Sequence, residues 1–118
     1  MCDILLQISQ PVRSIIDDEK KKIYLQVLSD HFCLTIISDI IDNPKTAVDI
    51  SKDTKIPIST VYRRLQFLQE NKLLKITGGI GKDGKYFLYQ SRLKGFSTVF
   101  NGKSLEITVT PNLNFTIL

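Results

Sequence analysis

The sequence predicts a single α+β domain, and three observations lead to this fold class. Residues 29–71 show three successive helical patterns, residues 73–89 show two strand patterns around a glycine-rich segment, and an Asn-Gly pair at 101–102 separates two more alternating segments. The chain has 118 residues, which is enough for one hydrophobic core and leaves little room for a second. With 42% hydrophobic and 24% charged residues, its composition is that of an ordinary soluble globular domain.

Residues 1–27 are predicted to form an N-terminal arm or helix that packs on the domain or on a partner chain. Apolar residues on either side of Pro11 recur at spacings that suit short amphipathic helices. They are Ile4, Leu5 and Ile8 before the proline, and Val12, Ile15 and Ile16 after it. The acids at 17–19 precede the lysines at 20–22, an order that suits a helix dipole or a solvated linker. The alternation of Ile23, Leu25 and Val27 predicts a short strand, and a continuous helix from about residue 18 is the alternative.

The first clear helical pattern begins at Ser29, a good N-cap residue, with Asp30 in the first turn. The apolar residues that follow at helical spacing are Phe32, Ile36, Ile37, Ile40 and Ile41. Cys33 lies within this pattern and is predicted to be a small buried residue, and His31 a surface or capping residue. The segment Asp42-Asn43-Pro44 is predicted to end the helix, because the residue before a proline avoids the α region.

Two more helices are predicted to follow. Thr46 and Asp49 fit a capping box that opens a short second helix, which the segment at 53–57 breaks. The third helix is predicted at about 57–71, because proline is tolerated at a first helical position. Its predicted buried face consists of Ile58, Val61, Leu65 and Leu68.

Two hairpins are predicted after the helices. In the first, strands at 73–77 and 86–89 flank an irregular tip at 78–85, where four of the eight residues are glycine. In the second, Asn101-Gly102 predicts a two-residue type I′ turn. That turn would pair Thr98 with Leu105 and Phe96 with Ile107. One face of this hairpin would carry Phe96, Thr98, Phe100, Leu105, Ile107 and Val109.

The positive charge of the chain is concentrated in one segment. The net charge is +4, but residues 1–44 carry −3 and residues 95–118 carry zero. Residues 45–94 hold eleven basic and four acidic side chains, a net charge of +7. Such an asymmetry is typical of a nucleic-acid contact surface.

Composition argues against several other classes of function. No apolar run approaches the roughly 20 residues of a membrane span, and a secretory signal is not expected. Cys2 and Cys33 do not form a disulfide scaffold, so a cytoplasmic location is expected. His31 and Cys33 point about 200° apart on a helix, so no metal is expected. The chain has no nucleophile motif and no phosphate loop, and its glycines do not match a dinucleotide fingerprint, so neither enzymatic activity nor a cofactor is expected.

A helix, a short helix, a sharp turn, a third helix and a basic glycine-rich hairpin follow one another in the order of a winged helix-turn-helix. The predicted architecture is thus a three-helix core plus a wing hairpin, with an extra C-terminal β-hairpin. Residues 28–94 also resemble archaeal winged helix-turn-helix transcriptional regulators of the arsenical-resistance-repressor-like (ArsR-like) group. The most specific part is residues 45–76, with STVYRRL at 59–65 followed by L-x-x-N-K-L-L.

This resemblance implies a DNA-binding domain at 28–91. Residues 92–118 form a C-terminal hairpin extension and tail similar to those of archaeal members, and residues 1–27 are not covered. The family implies that the wing reaches the minor groove or flanking phosphates. One helix-turn-helix reads few base pairs, so a homodimer on a two-fold site is expected. The N-terminal arm and the C-terminal hairpin are the candidate dimer elements.

The candidate DNA-binding residues follow from a helical wheel of the third helix, at about 100° per residue. Ser59, Arg63 and Gln66 lie opposite Val61, with Thr60 and Tyr62 at the flanks. Arg63 can bond guanine and Gln66 adenine. Arg64 lies to the side and is predicted to contact phosphate. The remaining candidates are Lys82 and Lys85 in the wing, and Lys45 and Thr46 at a helix N-terminus.

The sequence therefore predicts a transcriptional regulator that binds double-stranded DNA sequence-specifically. The alternative is a winged-helix module that binds other proteins in a transcription or signalling complex without touching DNA. The two arginines of the third helix, opposed only by Glu70 near its end, favour DNA.

Overall fold

The computed structural model describes residues 12–113, and this part of the chain forms four helices and two antiparallel sheets. The predicted α+β class is confirmed. Predictions for the apolar residues at 4–8, for Cys2 and for the end of the tail fall outside the described residues. No helix in the described part is long and apolar enough to cross a membrane.

The N-terminal part consists of a short strand, β1 (Arg13–Ile15), and a helix, α1 (Asp18–Ser29). The helical alternative for residues 18–27 is therefore correct, with Tyr24 and Val27 buried one turn apart. The carboxylate of Asp17 caps α1 by accepting from the N–H of Glu19. The expected helix through Val12, Ile15 and Ile16 is wrong, because β1 finds a pairing partner in a strand close to the C-terminus.

The second helix, α2 (His31–Asp39), begins one residue later than predicted. Asp30 is its N-cap and accepts from the N–H groups of Phe32 and Cys33, whereas Ser29 ends α1. The helix also stops at Asp39, before the predicted end at Asp42, and Ile40 is its C-cap. As predicted, Cys33 is buried and His31 is exposed.

The third and fourth helices are α3 (Ala47–Thr54) and α4 (Ile58–Glu70). Thr46 caps α3 as predicted, since its hydroxyl accepts from the N–H of Asp49. Lys55 adopts φ 65°, which ends α3 in the left-handed region and turns the chain toward α4. Pro57 is the N-cap of α4 rather than its first residue.

The hydrophobic core lies between the four helices and the bases of the hairpins. From α4 it receives Val61, Leu65 and Leu68, as the helical spacing predicts, but Ile58 remains 39% exposed. From the other helices it receives Val27, Ile36 and Ile50, and from the C-cap of α2 it receives Ile40, all fully buried. Each such side chain contributes about 1.5–3 kcal/mol on burial, so this packing fixes the orientation of α4.

The first hairpin consists of β2 (Leu74–Gly81) and β3 (Gly84–Ser91). The prediction of an irregular tip at 78–85 is wrong, because the ladder continues to the Gly81–Gly84 pair and only Lys82 and Asp83 form the turn. Gly84 adopts φ 105°, which a side chain would disfavour. The ring of Tyr86 occupies the place of a side chain on Gly79, so the glycine backbone is covered and the strands persist.

The second hairpin consists of β4 (Leu93–Phe100) and β5 (Leu105–Pro111), and β5 also pairs with β1. The predicted register is wrong by two residues: Thr98 faces Ile107. The Asn101 side chain accepts from the N–H groups of Lys103 and Ser104, both at 2.9 Å, and so closes a four-residue connection. A shift by two residues preserves the alternation of faces, so the predicted apolar residues still share one face. On this face the ring of Phe96 packs against the ring of Tyr24, with 5.5 Å between the ring centroids.

Asn112 connects the C-terminal sheet to the helices. It is 1% exposed, and its amide donates to the backbone oxygens of Ile41 at 2.6 Å and Ser91 at 2.9 Å. The N–H of Ser91 in turn donates to the oxygen of Ile40. These bonds satisfy buried carbonyls at the junction, so they hold the two hairpins against the end of α2.

Candidate nucleic-acid interface

The outer face of α4 is open along most of its length. Ser59, Arg63 and Gln66 are exposed, Tyr62 is 52% exposed and Thr60 is half-buried. Because α4 buries its opposite face in the core, these side chains project from a fixed surface. Among residues 12–113, no acidic side chain forms an ion pair with Arg63, so its five donors remain available.

Gln66 is exposed but already has a partner. Its amide nitrogen donates to Oε1 of Glu70 at 3.1 Å, one turn further along α4. Bidentate recognition of adenine needs both the nitrogen and the oxygen of the amide. One of the two N–H donors of Gln66 is therefore used by Glu70, and the other N–H and the amide oxygen remain for a base.

Arg64 has a structural partner within the chain. Its Nε donates to Oδ2 of Asp30 at 2.7 Å, and its guanidinium lies 5.5 Å from the ring of Phe32. With 29% of its side chain exposed, Arg64 clamps α4 to the N-terminus of α2. The predicted phosphate contact of Arg64 would have to compete with this ion pair.

The ion pair between Arg64 and Asp30 should make the stability of the fold depend on pH. Partial burial acts to raise the pKa of this carboxyl, but the N–H of Cys33, the charge of Arg64 and the N–H of Phe32 outweigh it, and its pKa is lowered from 3.8. A lowered folded-state pKa stabilises the fold above the unfolded-state value and loses that effect as pH falls through the folded-state value. We expect the free energy of unfolding to fall as pH drops below about 4.

The Asp30→Asn variant checks this expectation in urea unfolding measured at several pH values. It keeps an oxygen for the cap but removes the charge, so it should be about 1 kcal/mol less stable at pH 7 and less sensitive to acid. An Asp18→Asn variant, at an exposed position of α1, is the control. Equal acid sensitivity of Asp30→Asn and the unmodified chain would contradict the assignment.

Lys45 and Thr46 are engaged at the start of α3. The ammonium of Lys45 lies 2.7 Å from Oδ2 of Asp53 and 2.9 Å from Oδ1 of Asp39, and these two hydrogen bonds raise its pKa. The hydroxyl of Thr46 is the cap of α3. Both residues therefore have structural partners, which weakens the prediction that they bind phosphate.

The tip of the β2–β3 hairpin carries Lys82 and Lys85, both exposed, together with Asp83 in the turn. Neither lysine forms an ion pair with another described residue. A groove of about 290 Å³ connects this hairpin to the helices. Its walls include Thr46, Val48, Tyr62, Lys85, Phe87 and Tyr89. The groove shows that α4 and the hairpin open onto a common surface.

Sequence reasoning missed the apolar part of this surface. Val48 is 48% exposed and Phe87 is 54% exposed, and both border the groove beside Tyr62. Ile80, near the hairpin tip, is 84% exposed. A two-residue turn at Lys82-Asp83 would have paired Ile80 with Lys85 and so placed Ile80 on the face of Phe87. Phe67, which lies off the buried face of α4, packs against the core as a half-buried residue.

Neither Cys33 nor His31 lines the groove between α4 and the hairpin. Burial raises the pKa of the Cys33 thiol to about 12, so the thiol remains protonated at neutral pH. His31 is exposed at the start of α2. Within the described part of the chain, no group of three His, Cys, Asp or Glu side chains is arranged to hold a metal ion.

The groove therefore joins Tyr62 of α4 to Lys85 and Phe87 of the β2–β3 hairpin in one partly apolar surface. Comparison of the chain with protein-family models, with curated proteins and with solved structures finds no significant match.

Proposed function

We propose that the chain is a winged helix-turn-helix protein that binds double-stranded DNA. In this proposal α2, α3 and α4 form the three-helix core, α4 enters the major groove, and the β2–β3 hairpin is the wing. One observation carries the proposal. Tyr62 on the exposed face of α4 and Lys85 on the hairpin line one groove, and Arg63, the next residue of α4, has no ion-pair partner among the described residues.

The distribution of charge supports this choice. The segment at 45–94 has a net charge of +7, but Lys45 and Arg64 are neutralised by internal carboxylates. Arg63, Lys82 and Lys85 remain as exposed cations on the proposed interface. Phosphate contacts need such free cations, and a guanidinium can also bond guanine in a bidentate way.

The dimensions of α4 support the same assignment. The helix has 13 residues, and at 1.5 Å per residue it is about 20 Å long. Its exposed N-terminal half carries the polar Ser59 and Arg63 beside Ile58 and Tyr62, and this half is the part of a recognition helix that approaches base edges. The resemblance to archaeal ArsR-like regulators extends the proposal to transcriptional regulation in the cytoplasm by a homodimer. The dimer contacts would come from residues 1–27 and the C-terminal hairpin.

Selection of bound molecules from a random duplex pool, together with a mass measurement in solution, tests the proposal. We expect an enriched two-fold symmetric sequence and the mass of a dimer. If the chain retains no duplex but forms a stable complex with a protein, the alternative of a protein-binding module is favoured. The exposed apolar side chains of Val48 and Phe87 are the observation that keeps this alternative open.

Lys82 and Lys85 should contribute to the salt dependence of the affinity for DNA. The double variant Lys82→Ala/Lys85→Ala should reduce the slope of log affinity against log salt by about two, because each phosphate contact contributes about one. The matched control is Lys20→Ala/Lys103→Ala, which removes two exposed lysines away from α4 and the first hairpin and is compared at a concentration where its mass in solution equals that of the unmodified chain. Equal slopes for the two double variants, measured by fluorescence anisotropy, would remove the hairpin from the interface.

A further inference from the structure

The hairpin tip carries an exposed isoleucine where a solvated turn needs none. Ile80 is 84% exposed and is not part of the hydrophobic core. It is the direct cross-strand partner of Lys85, so both side chains project from the same face of the hairpin. Four glycines surround these two residues in the strands: Gly78, Gly79, Gly81 and Gly84. Because glycine has no side chain, the side chains of Ile80 and Lys85 project from a hairpin tip that is otherwise mostly backbone.

Ile80 continues an apolar row that runs from the core to the tip. The cross-strand pairs Ile76–Tyr89 and Gly78–Phe87 precede the Ile80–Lys85 pair, so all of these positions share one face. Tyr89 packs against the core, Phe87 is half exposed and Ile80 is almost fully exposed. The same face borders the groove beside Tyr62. The row therefore leads from the core, past α4, to the end of the hairpin.

We propose that Ile80 is an apolar wedge that enters the minor groove of the bound duplex and partly unstacks one base step; this rests on the proposed function. Charge favours DNA as the occupant. Lys85 stands beside Ile80 and Lys82 follows it in the turn, so two cations lie within reach of the phosphates on either side of a narrow groove. Apolar wedges of this kind bend the duplex, and the bend brings more of it against the protein.

The wedge has a consequence for sequence preference. Pyrimidine–purine steps such as TA unstack most easily. The inserted side chain should therefore favour a TA or CA step where the hairpin lies, although Ile80 makes no hydrogen bond to a base. This preference would be independent of the bases read by Arg63.

The test uses a mixed-sequence duplex with central TA steps, labelled at its two ends with a fluorescent donor and acceptor. Saturation with the unmodified chain should raise the energy transfer, because the ends approach when the duplex bends. The Ile80→Ala variant should lower this rise and weaken binding about tenfold, with an unchanged salt slope, since it loses buried apolar surface but no phosphate contact. Ile80→Leu should retain most of the bend.

Ile16→Ala is the matched control, because Ile16 is 85% exposed and precedes α1. It should leave both the bend and the affinity unchanged, at a protein concentration where its mass in solution equals that of the unmodified chain. A straight duplex in the complex with the unmodified chain, or full bending by Ile80→Ala, would overturn the wedge and leave DNA binding intact. Failure of the unmodified chain to bind the duplex would instead overturn the proposed function, and the wedge with it.

Discussion

Replacement of Leu65 by alanine should lower the free energy of unfolding by about 3 kcal/mol, because a large buried side chain leaves a cavity that the core cannot fill. Leu65 is 2% exposed and lies on α4 between Val61 and Leu68, which are also buried. Since small domains have only about 5–15 kcal/mol of stability, this loss is a large fraction of the total. Urea unfolding followed by circular dichroism measures it.

Leu25→Ala is the control, because the same side chain is removed from a position of α1 that is 36% exposed. It should cost less than about 1 kcal/mol. If Leu65→Ala and Leu25→Ala had similar effects, the packing described for α4 would be wrong.

Replacement of Arg63 by alanine should weaken binding to the preferred duplex about tenfold to a hundredfold and relax the choice of base at one position. Arg63 is exposed on α4 and has no ion-pair partner among residues 12–113, so its loss should leave folding stability unchanged. The measurement compares affinities for the selected duplex and for single-base variants of it.

Two further variants separate base reading from charge. Arg63→Lys keeps the charge but cannot form the bidentate bond, so it should retain the salt slope and lose the base preference. Arg13→Ala, in the exposed strand β1, should change neither. Retention of full base preference by Arg63→Ala would show that another residue reads the sequence.

Features encoded by local periodicity were predicted correctly. Val61, Leu65 and Leu68 repeat at helical spacing, and all three are buried. The cap at Thr46 was also predictable, because the hydroxyl and the N–H of Asp49 are separated by three residues. Such interactions are decided within one turn of helix, so the sequence pattern contains them.

Long-range contacts decided the features that were not predicted. Ser29 and Asp30 are both residue types that cap helices well. Asp30 is the N-cap of α2, and it is also the residue that pairs with Arg64, 34 residues away. Strand β1 forms because β5 is available to pair with it. The glycines of the first hairpin remain in strands because Tyr86, across the hairpin, covers Gly79.

The candidate site was only partly predictable for the same reason. The exposure of Arg63 follows from the helical wheel of α4. The ion pairs of Arg64 and Lys45 involve carboxylates that lie elsewhere in the sequence, and they cannot be read from a local pattern. Ile80 and Phe87 share a face only because the hairpin ladder continues through the glycines.

The central claim is that the α4 and hairpin surface binds the phosphate backbone and bases of duplex DNA. The most direct measurement is the affinity of the unmodified chain for a duplex as the salt concentration is raised. Because binding would release counterions from several phosphates, we predict a steep linear fall of log affinity with log salt. Affinity that is weak and independent of salt would contradict the claim.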